Sequence, residues 1–385
     1  LKKVLFFSHS QALGGAELSM LEIMARIDRS KFQPVLVSPG TGMLSARAGR
    51  MGLEIVEVAL PPALLAWHRD SRIGMGTLLA AGRSIIILSK RIKQAGPAII
   101  YSHSQKAHIL GGLAGRLAGA PVVWHLRDVM PRPGLKALES WLGNWLPQRM
   151  IAVSRTVSNR FGRAGLKNKI RVIPNGLDVD AVRRAARMSD RNRVRRDLNI
   201  DPGLPLVGMV GRVAPWKGQH VFIRAARAIA DECPRARFLV IGGPLFGEED
   251  YYNGIIRLAE GLGLKDRLFF TGHREDVYPL MASLDVMVHC SLAPEPFGRV
   301  VAEAMALRVP VVSVCHGGIT ELVTDRVSGL LVPPGHVVAL SRAVVELIER
   351  PWLRRTLVRA AAEQIERCFR LETTVSKIEE ILKEV

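Results

Sequence analysis

Cysteine is scarce in this chain of 385 residues, and the four present, Cys233, Cys290, Cys315 and Cys368, lie far apart and form no C-x-x-C. That excludes a disulfide framework and a zinc knuckle, and makes a reducing cytoplasm the default compartment. Long apolar runs are also missing. Residues 1–7 turn polar at Ser8-His9-Ser10, too short for the core of a signal peptide, and no later run reaches the roughly 20 residues of a membrane span. The expectation is a cytoplasmic protein, soluble or peripheral. The first glycine loop lacks the dinucleotide fingerprint G-x-G-x-x-G, which argues against an NAD enzyme. Acidic residues are outnumbered: 35 Asp and Glu face 54 Lys and Arg, a net charge of +19.

The imbalance is local. Residues 1–180 carry 25 basic and 10 acidic side chains, a surplus of 15, whereas residues 197–385 carry 22 and 24. A basic first half suits an acidic acceptor or an anionic membrane surface, with plain solubility as the alternative. Between the halves, Arg183, Arg184, Arg187, Arg191, Arg193, Arg195 and Arg196 read most simply as a solvated linker and helix. Nucleic acid is the sharper reading, but no recognition motif accompanies the run, and no nucleic-acid partner is expected.

What the chain does have is an α/β pattern, twice over. With 48% hydrophobic residues, its length suits two domains of ordinary size. Strand-like runs at 4–7, 34–37, 55–58, 98–101, 122–125 and 150–153 alternate with helical segments, and a second set follows at 206–210, 238–241, 268–271, 286–288, 310–314 and 329–332. Each set predicts a parallel sheet covered by helices.

Ligands of such sheets sit beyond the carboxyl ends of the strands. There fall Gly14-Gly15 ahead of a helix at 16–25, Ser102-His103-Ser104, His125-Leu126-Arg127-Asp128, Gly242-Gly243 and Gly272-His273-Arg274. Gly14 and Gly15 allow backbone amides to approach an anion at a helix N-terminus. A lone histidine after a strand is more often structural than functional. Arg212 and Lys217, five residues apart across a loop, can converge on one anion, the guanidinium gripping two oxygens and the ammonium acting as a movable point charge.

Asp178-Val179-Asp180 has the D-x-D form of a metal–diphosphate site but follows Pro-Asn-Gly into the arginine-rich stretch, so no metal or cofactor is expected. Residues 74–93 read as a core helix with a solvated basic end, a membrane-surface helix being the functional alternative. Trp141 and Trp145, at i,i+4, are expected to pack inside.

The chemistry gathers at Glu295-Pro296-Phe297-Gly298-Arg299-Val300-Val301-Ala302-Glu303. Pro296 and Gly298 suit a turn and the apolar run after them a buried helix, leaving Glu295 before the helix and Glu303 inside it. Eight helical residues span roughly 12 Å, too far for a shared proton or a glycosidase pair but suited to two ends of one long polar ligand. The amides of Phe297, Gly298 and Arg299 lack intrahelical carbonyls and can donate to ligand oxygens. The plain alternative is a helix start with Arg299 and Glu303 as an i,i+4 surface pair.

This stretch resembles the Glu-x7-Glu motif of retaining nucleotide-sugar glycosyltransferases, family 4 in particular. Val172-Ile173-Pro174-Asn175-Gly176-Leu177-Asp178 and Gly211-Arg212 with Lys217-Gly218 stand where that family has them, and the likeness runs along most of the chain. It implies a GT-B fold, two Rossmann-like domains facing a cleft: an acceptor-side domain at 1–180, a basic linker at 181–196, a nucleotide-sugar domain at 197–365 and a terminal helix at 366–385 crossing back to the first. It implies a donor sugar held by Glu295 and the amides of Phe297 and Gly298, ribose hydroxyls on Glu303, and a diphosphate clamped by Arg212 and Lys217. Gly14 and Gly15 would reach the diphosphate or border the acceptor, with Arg274 and Arg299 also on the donor side. His125 would contact the donor sugar, and His103, His108, Arg127 and Asp128 would face the acceptor. Arg212, Lys217, Glu295 and His125 are expected to carry the chemistry. The expected reaction is retaining transfer from a UDP- or GDP-sugar to a hydroxyl of a glycan or lipid-linked acceptor in bacterial envelope synthesis. The rivals are a nucleotide-sugar 2-epimerase of the same fold and a basic nucleic-acid-binding protein.

Overall fold

The computed structural model describes the chain apart from residues 66–73, 97, 130–132, 162–163, 189 and 246. Two compact units emerge, Leu1–Gly176 joined by Leu371–Val385, and Leu177–Arg370. Each is an α/β unit built on a wholly parallel sheet.

The first sheet contains β1 (Lys2–Phe7), β2 (Phe32–Ser38), β3 (Glu54–Glu57), β4 (Ala98–Ser102), β5 (Val122–Leu126), β6 (Arg149–Ala152) and β7 (Ile170–Val172), in the order β3-β2-β1-β4-β5-β6-β7. Its central strands are apolar on both faces because helices cover both. Val4, Phe6, Leu36, Tyr101 and Val123 pack with Met20 and Met24 of helix Gly15–Arg26 and with Leu371, Val375 and Ile378 of helix Leu371–Glu384. Leu5, Phe7, Ile100, Val122 and Trp124 pack on the other side with helices Met75–Gln94, Gln105–Ala118 and Pro133–Trp145. The last helix is tied to its unit where Thr374 Oγ1 donates to the Pro174 carbonyl at 3.0 Å. Strand β7 was not among the expected runs, since three partly or fully exposed edge residues are too few to display a period.

Trp141 and Trp145 do not pack inside. They are 57% and 65% exposed, because Glu139, Ser140 and Leu142 take the inward side of their helix, with Leu146 buried just after it. Glu139 is satisfied there by the guanidinium of Arg160.

The second sheet contains β8 (Leu206–Val210), β9 (Arg237–Ile241), β10 (Leu268–Phe270), β11 (Val286–Val288), β12 (Val311–Val314) and β13 (Leu330–Val332), ordered β10-β9-β8-β11-β12-β13. In both sheets the order reverses next to the first strand, at β1/β4 and at β8/β11, and crevices open beyond the carboxyl ends at such points.

The arginine run 181–196 is not a free linker. It lies in the second unit, in helices Val179–Ala186 and Arg191–Asp197. Arg195 is only 2% exposed. It donates to the carbonyls of Ser283, Pro202 and Leu204 and meets Asp285 at 2.7 Å, so its planar fork of donors is satisfied in the interior. Arg183 reaches Glu366 at 2.5 Å. Asp178 caps helix Val179–Ala186 by accepting from the Ala181 amide at 2.9 Å, and Asp180 pairs with Arg370 at 2.7 Å. Both aspartates therefore have structural work at the first helix of this unit.

Candidate active site

At the β8/β11 crevice of the second unit Lys217 meets Glu295, with Arg212 on the same loop. After β8 the chain passes Gly211 and Arg212 into the turn Pro215–Lys217 and then helix Gln219–Glu232. Buried Gln219 holds that loop in shape: its Nε2 donates to the Arg212 carbonyl at 2.9 Å, and its Oε1 accepts from the Ala214 amide at 3.4 Å. Gly218 is required twice over. Its φ is +81°, and a Cβ there would collide with the Cys290 carbonyl.

Across the crevice, β11 runs into His289, Cys290, Ser291 and Glu295. The Glu295 carboxylate accepts from Lys217 Nζ at 2.5 Å and from Ser291 Oγ at 2.6 Å, and lies 3.2 Å from His289 Nε2. Burial pushes this carboxyl up, but the Lys217 charge and the His289 contact overcome that push and leave it below the usual carboxylate range. His289 is itself held at 2.9 Å from Ser313 Oγ on β12. Both cations lie over the Trp216 ring: Lys217 Nζ is 4.5 Å and Arg212 Cζ 5.7 Å from its centre, and Arg212 reaches Glu248 at 3.6 Å. Two cations thus stand on one loop, Lys217 in close contact with the buried Glu295 carboxylate.

Helix Arg299–Ala306 begins where expected, with Gly298 at φ +93° as its N-cap. The Phe297 side chain faces the core, its ring 5.7 Å from that of Phe369, so only its backbone is available to a ligand. Glu303 is buried and accepts from Arg299 Nε at 2.9 Å and Tyr278 OH at 3.2 Å. The pair with Arg299 is therefore interior rather than a surface pair. Arg274 stands apart, exposed and bidentate to Asp276 at 2.7 Å.

The first unit brings together a second set. Helix Gly15–Arg26 is capped by its own Glu17, whose Oε2 accepts from the Gly14 amide at 3.1 Å, so an anion at this loop would have to displace a carboxylate. Burial raises the Glu17 carboxyl, yet its interactions with His103 and the Gly14 amide bring it down to about 2. His103 Nε2 lies 3.7 Å from Glu17 and neither ring nitrogen has a hydrogen-bond partner among the described residues. His9 meets Ser104 Oγ at 2.7 Å, and burial, with the Lys106 charge, lowers its pKa to about 4. His108 stacks on Trp124 and meets Ser102 Oγ at 2.8 Å.

His125 is fully buried at the end of β5, its Nδ1 2.5 Å from Tyr101 OH and 3.2 Å from Arg127 NH2. Burial first, and Arg127 next, hold the ring neutral by pushing its pKa well below the usual value. A guanidinium only donates, so Nδ1 accepts and the single ring proton sits on Nε2. That nitrogen has no partner among the described residues, leaving one N–H donor for a ligand. Arg127 also donates to Asn175 Oδ1 at 2.9 Å, which joins the Pro-Asn-Gly stretch to β5. Asp128 is exposed, and its carbonyl accepts from Arg160 at 2.5 Å.

Sequence reading passed over His289, Ser291, Tyr278, Glu248 and Gln219, and used Trp216 only as part of a loop. The signal available was their place just after strands β8, β9 and β11 or in the helix packed beside Glu303. Among the described residues no group of three or more His, Cys, Asp or Glu is placed to hold a metal ion.

Known proteins match both halves of the chain. The model for glycosyltransferase family 4 matches residues 13–181 and that for glycosyl transferases group 1 matches residues 190–364. A 2-deoxystreptamine N-acetyl-D-glucosaminyltransferase of Streptomyces fradiae is 29% identical over 378 residues, 92% of this chain and 87% of that protein. A D-inositol 3-phosphate glycosyltransferase of Nocardia farcinica is 33% identical over 201 residues, covering 51% of this chain and 44% of that protein. HepE of Anabaena, solved with UDP, superimposes over 100% of both chains with a TM-score of 0.85 at 29% identity; its complex with UDP-glucose gives 0.84 at 28%. With one of the two models matching each half and both sheets found in structures of this architecture, the chain belongs to the family 4 glycosyltransferases of GT-B fold.

Proposed function

We propose that the enzyme transfers a sugar from a UDP-sugar, with retention, to a hydroxyl of a glycan or lipid-linked acceptor. The setting is envelope polysaccharide synthesis at the inner face of the cell membrane. The observation that carries this is the Lys217–Glu295 pair at the β8/β11 crevice with Arg212 beside it on the same loop. The UDP and UDP-glucose complexes of HepE support the choice of uridine over guanosine.

The division of labour follows from charge. Glu295, held ionised, accepts hydrogen bonds from sugar hydroxyls and does not serve as a proton donor. Glu303, oriented by Arg299 and Tyr278, accepts from ribose hydroxyls. Arg212, Lys217 and the amides of Phe297 and Gly298 balance the charge that grows on the departing diphosphate. The bond from the anomeric carbon to the diphosphate breaks as the acceptor oxygen bonds on the same face, and the acceptor proton passes to a diphosphate oxygen. On the first unit, the His125 Nε2 proton is offered to a sugar hydroxyl, and Arg127, Asp128 and His103 belong to the acceptor side. No metal enters the scheme.

A thermal-shift screen of UDP, GDP, ADP and their sugars tests the donor. Saturating UDP and at least one UDP-sugar should raise stability by about 2–4 kcal/mol, whereas GDP and ADP should do little. Absence of a shift with every nucleotide would overturn the reading, and release of free 2-epimer without acceptor would replace it with the epimerase. The anomeric configuration of the product, read by NMR, decides retention.

A further inference from the structure

Three helices lie side by side on one face of the first sheet: Met75–Gln94, Gln105–Ala118 and Pro133–Trp145. Their inward sides are filled. Ser84, Leu88 and Ile92 are buried from the first, Leu110 and Ala114 from the second, and Leu142 from the third, with Leu146 just beyond its end. Their outward sides are not the polar surfaces expected of a helix that meets only water. On Met75–Gln94 the exposed residues include Met75, Leu78, Leu79, Ile86 and Ile87, with Leu79 at 66%. At about 100° per residue, Leu79 and Ile86 lie roughly opposite Leu88, so neither can reach the core by a change of rotamer. On Pro133–Trp145 the exposed apolar residues include Leu138, Trp141 and Trp145, spaced three and four apart along one stripe. Leu117, at 58%, is exposed on the helix between.

Charge identifies what covers this face. Arg83, Lys90, Arg91 and Lys93 are exposed on Met75–Gln94, Arg116 is exposed next to Leu117, and residues 74–96 contain no acidic residue. Lys90 and Lys93 continue the outward line of Met75, Leu79 and Ile86. Apolar side chains interleaved with cations match the boundary between acyl chains and anionic headgroups, where amphipathic helices lie in the plane of the surface. Indoles prefer that same boundary, apolar on the ring and polar at the N–H. No helix among the described residues is long and apolar enough to cross a bilayer, so contact would be from one side.

We propose that helices Met75–Gln94 and Pro133–Trp145 form a docking face for an anionic bilayer, with Leu79, Ile86, Trp141 and Trp145 entering the headgroup boundary and the flanking cations meeting lipid phosphates. This deepens the proposal of a membrane-side acceptor and rests on it, since it names the surface through which the enzyme would meet a lipid-linked substrate. The exposed Trp352 of the second unit, at 57%, provides an internal control.

The test is co-sedimentation of the full chain with vesicles of pure phosphatidylcholine and of equimolar phosphatidylcholine and phosphatidylglycerol, at physiological salt. The wild type should sediment with the anionic vesicles and little with the neutral ones. Trp141→Ser/Trp145→Ser should lower that affinity on the order of 100-fold, because each half-inserted indole removes tens of Å2 of apolar surface from water. Leu79→Ser/Ile86→Ser should lower it about tenfold or more, and Trp352→Ser should leave it unchanged. All four substituted positions of the face are exposed, and an unchanged Tm verifies that the variants fold. Failure of the wild type to bind anionic vesicles, or equal binding by the double variants, overturns the proposal. So does a concentration-dependent dimer that Trp141→Ser/Trp145→Ser abolishes, since a second copy would then be what covers the face. UDP stabilisation is measured alongside: its absence would sink the donor reading and leave the vesicle result to stand or fall by itself.

Discussion

Removing the Lys217 charge should separate the structural cost of the Glu295 pair from its chemical role. In Lys217→Met the aliphatic stem stays beside Trp216, but Glu295 loses the Lys217 cation while keeping Ser291 and His289. The two side chains are 16% and 10% exposed, so the carboxylate left behind is largely shielded from water. Breaking a buried pair from one side costs about 3–5 kcal/mol, and residual solvent access places this case near about 3 kcal/mol. For a unit of this size that lowers Tm by about 6–12 °C. In the wild type the folded pKa of Glu295 lies below its unfolded value, so its contribution is complete above the unfolded pKa and is lost as pH falls through the folded one. In the variant, burial prevails and the folded pKa rises above the unfolded value. The carboxylate then destabilises at neutral pH, and the deficit shrinks as acid protonates it. The Tm gap between wild type and Lys217→Met, followed by calorimetry, should therefore be widest near pH ~7 and narrow toward pH ~5. Lys217→Met/Glu295→Gln should recover most of the lost stability, because no orphaned charge remains. A gap independent of pH, or a double variant as unstable as the single one, would refute the reasoning.

Arg212→Ala and Lys217→Ala should each reduce transfer on the order of 100-fold or more, as for other preorganised groups that meet charge in the transition state; near wild-type kcat in both would remove the clamp. Glu303→Ala should weaken binding of free UDP by calorimetric titration, while Glu295→Ala should leave it near wild type and instead relax the choice of sugar; the opposite pattern would reverse their roles. Transfer should survive EDTA, since Asp178 and Asp180 are engaged as a helix cap and an ion pair. Activity lost to the chelator and restored by manganese would revive the D-x-D reading, provided that Asp178→Asn/Asp180→Asn also costs activity.

Much of the architecture is legible without coordinates, because a strand buried on both faces leaves a continuous apolar run bounded by glycine, proline or polar residues. Residues 4–7, 98–101 and 206–210 are of this kind, and each lies within a strand of the structure. The turn at Gly298 and the helix after it are equally local, since a positive φ and the missing intrahelical acceptors are set by neighbouring residues. Edge strand β7 escaped because its three residues are partly or fully exposed and bury no face.

Side-chain partnership is another matter. Lys217 and Glu295 are 78 positions apart, and only the adjacency of β8 and β11 brings them into contact; the same crossing delivers His289 and Ser291. Arg195 reads as one solvated arginine among seven until the fold places the Ser283 and Leu204 carbonyls around it. For Trp141 and Trp145 a spacing of four fits an inward or an outward stripe equally well. The choice was made by Leu142 and Leu146 packing on the sheet. Periodicity along a chain reports which residues share a face, whereas the direction of that face and the groups that meet it are set by contacts between segments distant in sequence.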